Sequence, residues 1–152
     1  MRLYLTRHGD ALSEKENPDR PLSENGRKQV AQVADLLEQM RAGVDRMLHS
    51  GKPRARETAE ILAQSVMTGP ELEAAGGMNP NDPVEPWVER LSSLDADTML
   101  VGHLPFLSKL ASRLVTGSED TAVVSFRAGT AVCLERSEEG QWQVAAVVPP
   151  VL

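Results

Sequence analysis

At 152 residues, with 41% hydrophobic and 25% charged positions, the chain has the composition of an ordinary globular protein and the length of one compact domain spanning residues 1–152. A formal net charge of −6 argues against a general nucleic-acid binder, which needs Lys and Arg clustered over a broad face. No apolar stretch approaches the roughly 18 residues needed to cross a bilayer, so no membrane partner is expected.

The first strand is predicted over residues 2–6, breaking off into Arg7-His8-Gly9, where the glycine lets the backbone turn. Thr6-Arg7-His8 interrupts this early apolar run before an export h-region can form, which predicts a cytoplasmic protein. Ser23 suits an N-cap, Glu24 suits the positive first turn, and Val30, Val33, Ala34 and Leu37 recur at helical spacing until Gly43, predicting a helix over 24–41. A short strand follows over 45–49, then a turn at Ser50-Gly51. The next helix runs through Ala55, Thr58, Ala59, Leu62 and Val66 and closes at Gly69-Pro70. Pro70, Pro80, Pro83 and Pro86 crowd the next stretch, so residues 70–83 read as a loop around one weak strand.

A helix near 84–94 carries Trp87, Val88, Leu91 and Leu94, and the run 98–101 has the continuous apolar character of a strand covered on both faces. The following helix has Pro105 in its first turn, Leu107, Leu110, Ala111 and Leu114 along one face, and Gly117 as its stop. Three strands are expected at 122–126, 130–135 and 142–148, the last two joined by a hairpin at Glu139-Gly140. Cys133, the one cysteine, falls in the second of these and reads as a buried, inert thiol. Parallel βαβ units finishing in antiparallel edge strands predict a three-layer α/β/α sandwich with a mostly parallel sheet.

The chemistry-bearing residues fall just after strands: Arg7 and His8 after the first, Ser50 to Arg54 after the second, His103 in Gly102-His103-Leu104-Pro105 after the fourth. Such positions meet at one edge of an open α/β sheet. Two histidines and two arginines gathered there, in an acidic protein, make a local cationic cup. Arginine suits phosphate because its fork binds two oxygens and stays charged. Helix N-termini after Ser50 and His103 would add backbone donors. Arg20 divides between the rim of this cup and a loop ion pair, Arg56 reads as a solvated charge, and His49 as a strand residue of unassigned orientation. No His-x-x-x-His or cysteine cluster occurs, so neither metal nor cofactor is expected.

These segments resemble the histidine phosphatase superfamily, with its phosphoglycerate-mutase-like fold. The likeness rests on Arg7-His8-Gly9, on Ser50 with Arg54-Ala55 and Thr58-Ala59, and on Gly102-His103-Leu104-Pro105. Together with the small size and Arg20-Pro21-Leu22-Ser23-Glu24-Asn25-Gly26, it is most similar to the short SixA-type phosphohistidine phosphatase branch. The resemblance implies that His8 is a transiently phosphorylated nucleophile, that Arg7 and Arg54 clamp the phosphoryl oxygens, and that His103 completes the pocket. Gly9, Arg20, Ser50 and Leu104 would line it. Two departures stand out: Gly51 replaces the proline that many members carry after the serine, and the acidic proton donor of larger members has no motif here. Glu71, Glu73 and Asp82 are the acids of that region.

The reading that follows is a metal-independent phosphatase acting on phosphohistidine of a partner protein, such as a phosphotransfer domain. An imidazole leaving group departs with little proton assistance, which suits the missing acid. The alternatives are a small-molecule phosphoesterase with Glu73 or Asp82 as donor, and a phosphohistidine- or anion-binding module without turnover.

Overall fold

The ten elements follow in chain order as β1 (Arg2–Arg7), α1 (Glu24–Gln39), β2 (Val44–His49), α2 (Pro53–Val66), β3 (Met67–Ala74), α3 (Glu85–Ser92), β4 (Thr98–Gly102), α4 (Phe106–Thr116), β5 (Ala131–Arg136) and β6 (Trp142–Val148). The structure, a computed structural model, describes residues 1–151. The strands form one sheet in the order β3-β2-β4-β1-β5-β6. β3, β2, β4 and β1 run parallel, while β5 is antiparallel to both β1 and β6.

Side chains alternate across the strands, and each set enters a different core. Tyr4, Met47, Met99, Val101, Ala131 and Cys133 pack beneath α1 and α2. Leu3, Leu5, Leu48, Leu100, Val132 and Leu134 pack beneath α3 and α4. The result is the expected three-layer α/β/α sandwich. All five residues of β4 are buried, as its unbroken apolar run predicted.

Local signals set the helix ends. Ser23 caps α1 by accepting the Gly26 N–H at 3.0 Å, and Val30, Val33, Ala34 and Leu37 form its buried face. α4 stops at Gly117, whose φ of 84° completes a left-handed cap.

Two expectations are corrected. Residues 122–126 form no strand; β1, to which Arg7 ties the segment, has both edges paired with β4 and β5. Side chains tie down both ends of the segment: just ahead of it the Ser112 hydroxyl contacts the Ser118 and Thr121 carbonyls, and at its last residue the Phe126 carbonyl accepts from Arg7 at 2.9 Å. Gly69 and Pro70 do not close α2 but lie inside β3, an eight-residue edge strand. On an edge a proline's missing donor is tolerated. Gly69 passes so close to β2 that a Cβ there would stand 2.5 Å from the Asp45 carbonyl oxygen.

Candidate active site

Neighbouring strands β2, β4 and β1 end together. Arg7 pairs with Gly102 and His49 with Val101, so the residues that leave the sheet next, His8, Ser50 and His103, emerge along one edge. The His8 backbone N–H binds the Gly102 carbonyl at 3.1 Å, fixing the exit of β1 against that of β4.

The His8 ring stands with Nδ1 2.7 Å from the Gly9 carbonyl oxygen. A carbonyl only accepts, so Nδ1 carries the proton and Nε2 keeps a bare lone pair. Burial, partly opposed by this bond, and then Arg54, Arg7 and Arg20 push the His8 pKa down to about 4. Its ring lies 5.0 Å, centroid to centroid, from that of His103. His103 is 2% exposed, and burial, followed by His8, Arg54, Lys52 and Arg20, pushes its pKa down to about 3. Both rings are neutral at neutral pH, and every charged group that shifts them is a cation.

His103 Nε2 lies 2.6 Å from Ser50 Oγ. The Lys52 N–H points at the same hydroxyl oxygen at 3.4 Å; when the serine proton is donated to Nε2, the imidazole proton sits on Nδ1. Among the described residues that buried Nδ1 has no partner, and neither do the buried Nε atoms of Arg7 and Arg54. An unpaired buried donor costs about 1–3 kcal/mol, a cost that an incoming hydrogen-bond acceptor would relieve. Burial lowers the pKa of both guanidinium groups. Arg7 is further held by the Phe126 carbonyl through Nη1.

The segments flanking the site are fitted to it closely. The Gly9 N–H binds Thr58 Oγ1 at 3.2 Å while the Thr58 hydroxyl donates to the Arg54 carbonyl at 2.7 Å, joining the exit of β1 to the first turn of α2. A Cβ on Gly9 would meet the Gly26 carbonyl oxygen at 2.8 Å, and one on Gly26 would meet the Asp10 carbonyl oxygen at 2.0 Å. The Ser23 hydroxyl donates to Asp10 Oδ2 at 2.8 Å. The Arg20-to-Gly26 motif therefore latches the loop that follows His8.

Arg20, in a left-handed conformation with φ 46°, binds the Leu12 carbonyl through Nε at 3.0 Å. With Glu14, Asp19, Lys52 and Arg54 it lines a cleft of about 370 Å³, a place at the rim rather than in a loop ion pair. Leu104 packs against the α3–α4 core. The three candidate acids have other settings: Glu71 ion-pairs with Arg46, Glu73 is an exposed residue of β3, and Asp82 Oδ2 accepts the Asn79 N–H at 2.8 Å. Among the described residues no group of three or more His, Cys, Asp and Glu is placed to hold a metal ion, and no helix is long and apolar enough to cross a membrane.

Sequence reasoning missed two contributors. Thr58 belongs to the Arg54-Ala55…Thr58-Ala59 signature, and its spacing of four from Arg54 could have suggested a hydroxyl folding back on that carbonyl. His49 is buried, with Nδ1 accepting the Gly51 N–H at 3.1 Å. Nothing in the strand pattern marked it. Chemically, the arrangement offers a bare imidazole nitrogen beside fixed cations, suited to attack on a phosphoryl group whose oxygens the arginines hold.

The family model described as histidine phosphatase superfamily, branch 1, matches residues 3–75. An uncharacterized protein of Picosynechococcus sp. strain PCC 7002 is 33% identical over 145 residues, covering 86% of this chain and 87% of that one. Phosphohistidine phosphatase SixA of Escherichia coli K12 is 28% identical over 155 residues, covering 95% and 94%. Among solved structures, protein histidine phosphatase SixA complexed with tungstate superposes with a TM-score of 0.87 at 23% identity, over 99% of this chain and 97% of that one. The α-ribazole phosphatase of Shigella flexneri superposes with a TM-score of 0.77 at 17% identity, over 97% and 96%. The last two are likenesses of fold.

Proposed function

The chain belongs to the histidine phosphatase superfamily, in its short SixA-type branch, and from that premise we propose that it hydrolyses phosphohistidine on a partner protein, such as a phosphotransfer domain, in the cytoplasm. His8 is the nucleophile. Its Nε2 attacks phosphorus and the bond to the substrate imidazole breaks. That leaving group departs as neutral imidazole when its distal nitrogen already carries a proton. Water then attacks the phosphorylated His8 and gives its proton to the departing phosphate, and the P–Nε2 electron pair returns to the ring. The Gly9 carbonyl, bound to Nδ1–H throughout, keeps Nε2 in the attacking position.

Arg7, Arg54 and His103 Nδ1–H take the equatorial oxygens, where charge spreads in the transition state. Ser50 orients His103, Gly9 supplies the backbone anchor, and Arg20 and Lys52 extend the positive potential to the rim. These cations do the neutralisation that a divalent ion performs elsewhere, so the reaction is metal-independent.

The observation that supports this reading over ester hydrolysis is the sign of the charge around the two histidines: Arg54, Arg7, Arg20 and Lys52 shift them, and among the described residues no carboxylate does. The pocket suits phosphoryl oxygens, and the acids at its rim, Glu14 and Asp19, shift neither histidine. The test compares kcat/KM for a phosphohistidine-bearing phosphotransfer domain with aryl and alkyl phosphomonoesters, all in excess chelator. The expected order is phosphohistidine, then aryl, then alkyl, with full activity in chelator. An alkyl ester turned over as well as phosphohistidine, with loss on replacing Glu73 or Asp82, would establish the small-molecule phosphoesterase instead. Recovery of activity by one divalent ion would overturn metal independence.

A further inference from the structure

The turn that carries Ser50 lacks the stiffness a proline would give it. Gly51 sits at φ 90°, a conformation proline cannot take and residues with a Cβ rarely do. A glycine can leave that conformation as readily as adopt it. One side chain opposes this. His49, the last residue of β2, is 7% exposed and accepts the Gly51 N–H on Nδ1 at 3.1 Å, the i to i+2 arrangement that Asn and Asp oxygens make in Asx turns. The His49 carbonyl is fixed in turn by the Ala75 N–H at 2.9 Å.

Acceptance at Nδ1 requires a neutral ring with its proton on Nε2. Burial and Arg56 favour that form, against a pull from Glu60, both of these residues being on α2. The flanking strands place Ala74 and Val101 opposite His49 and add no charge there. One residue further on, Ser50 Oγ meets His103 Nε2 at 2.6 Å.

We propose that His49 is a positioning residue: by accepting the Gly51 N–H it fixes the Ser50–Gly51 turn, and through the Ser50 hydroxyl it keeps the His103 proton on Nδ1, facing the phosphoryl oxygens. The assignment of the phosphoryl oxygens rests on the phosphatase reading; the tautomer control does not. It accounts for how this chain dispenses with the proline. The glycine supplies an N–H that proline lacks, and the preceding histidine uses it.

The test combines a double-mutant cycle with ring nitrogen spectroscopy. With an aryl phosphate as substrate, His49→Ala is expected to lower kcat about 10-fold, the usual scale of one lost hydrogen bond. His49→Asn, which restores an acceptor two residues before the N–H, should recover most of that loss. In a Ser50→Ala background His49→Ala should have no further effect, because both substitutions cut the same connection. Independently of turnover, 15N spectra of the imidazoles should show His103 protonated on Nδ1 in the wild type and in His49→Asn, and a shift toward the Nε2–H form in Ser50→Ala. Effects of His49→Ala and Ser50→Ala that multiply, a folded His49→Asn protein no faster than His49→Ala, or an Nε2–H His103 in the wild type would each overturn the proposal. If His49→Ala does not fold, the Asn variant and the spectra of wild type and Ser50→Ala decide it. Absence of turnover with Nδ1–H spectra intact would sink the phosphatase reading and leave this one standing.

Discussion

Holding His8 neutral has a thermodynamic consequence that can be measured without substrate. Its pKa stands near 4 in the fold against an ordinary 6.5. Above about pH 6.5 the ring is neutral in both folded and unfolded chains, and stability is unaffected. As pH falls below that, the unfolded chain binds a proton that the folded chain refuses, so stability declines until the folded pKa is reached. The limiting slope is about 1.4 kcal/mol per pH unit for this one group. Across the two units from about pH 6.5 to 4.5 this amounts to at most ~2.7 kcal/mol, and water reaching the partly exposed ring reduces it to about 2. His8→Asn removes the titrating group and keeps a polar side chain of similar length. Urea unfolding at about pH 7, 6, 5 and 4.5, with m-values checked for constancy, should show the variant gaining about 2 kcal/mol on the wild type over the series. A saturating tetrahedral oxyanion such as tungstate should flatten the wild-type slope, since an anion in the cup raises the pKa of both rings. Stability curves that stay parallel would refute the reasoning, because His8 would then titrate alike in both states and the ring would not be held neutral by its surroundings.

The same pKa places the acid limb of kcat/KM near pH 4 rather than 6.5; a limb at the ordinary histidine value would contradict it. His8→Ala should abolish turnover while leaving a cooperative thermal transition, and Arg54→Ala should lose on the order of 10²–10³-fold in kcat, the usual scale for one preorganised charge-stabilising donor. Thr58→Val leaves the Gly9 N–H buried and unpaired, which should cost about 1–3 kcal/mol in urea unfolding. Gly26→Ala drives a methyl to 2.0 Å from the Asp10 carbonyl oxygen; backbone must move, so both stability, by about 1–3 kcal/mol, and kcat should fall.

Where local pattern and tertiary demand agreed, the fold was legible. The helical spacing of Val30, Val33, Ala34 and Leu37 and the unbroken run 98–101 each had one way to be buried, and each was. The two errors arose where distant groups decided. Residues 122–126 alternate like a strand, but β1 has both edges paired and its Arg7 side chain holds the Phe126 carbonyl instead. Gly69-Pro70 punctuates a helix in isolation, yet an edge position makes proline harmless and a close pass to Asp45 makes glycine useful. Neither condition is written in the local sequence.

The pocket divides the same way. Arg7, His8, Arg54 and His103 stood out because they gather at strand exits that meet along one sheet edge, in segments that together resemble one family. Of the uncharged groups around them, Gly9, Ser50 and Thr58 fell within the recognised motifs, while the Phe126 carbonyl was silent. The carbonyls of Gly9 and Phe126 and the hydroxyls of Thr58 and Ser50 connect the pocket, and physics requires them to be neutral. A carboxylate in place of the Gly9 carbonyl would orient the His8 ring equally well but would raise its pKa and populate the protonated, non-nucleophilic form. Asp10, the acid that partly offsets the burial-driven lowering of the Arg7 pKa, is engaged by the Ser23 hydroxyl. The cup therefore stays cationic with its histidines unprotonated, because carbonyl and hydroxyl oxygens provide direction without adding negative charge. A backbone carbonyl such as that of Phe126 belongs to no charge pattern or spacing rule, which is why a sequence can show the charged residues of a pocket plainly and conceal what positions them.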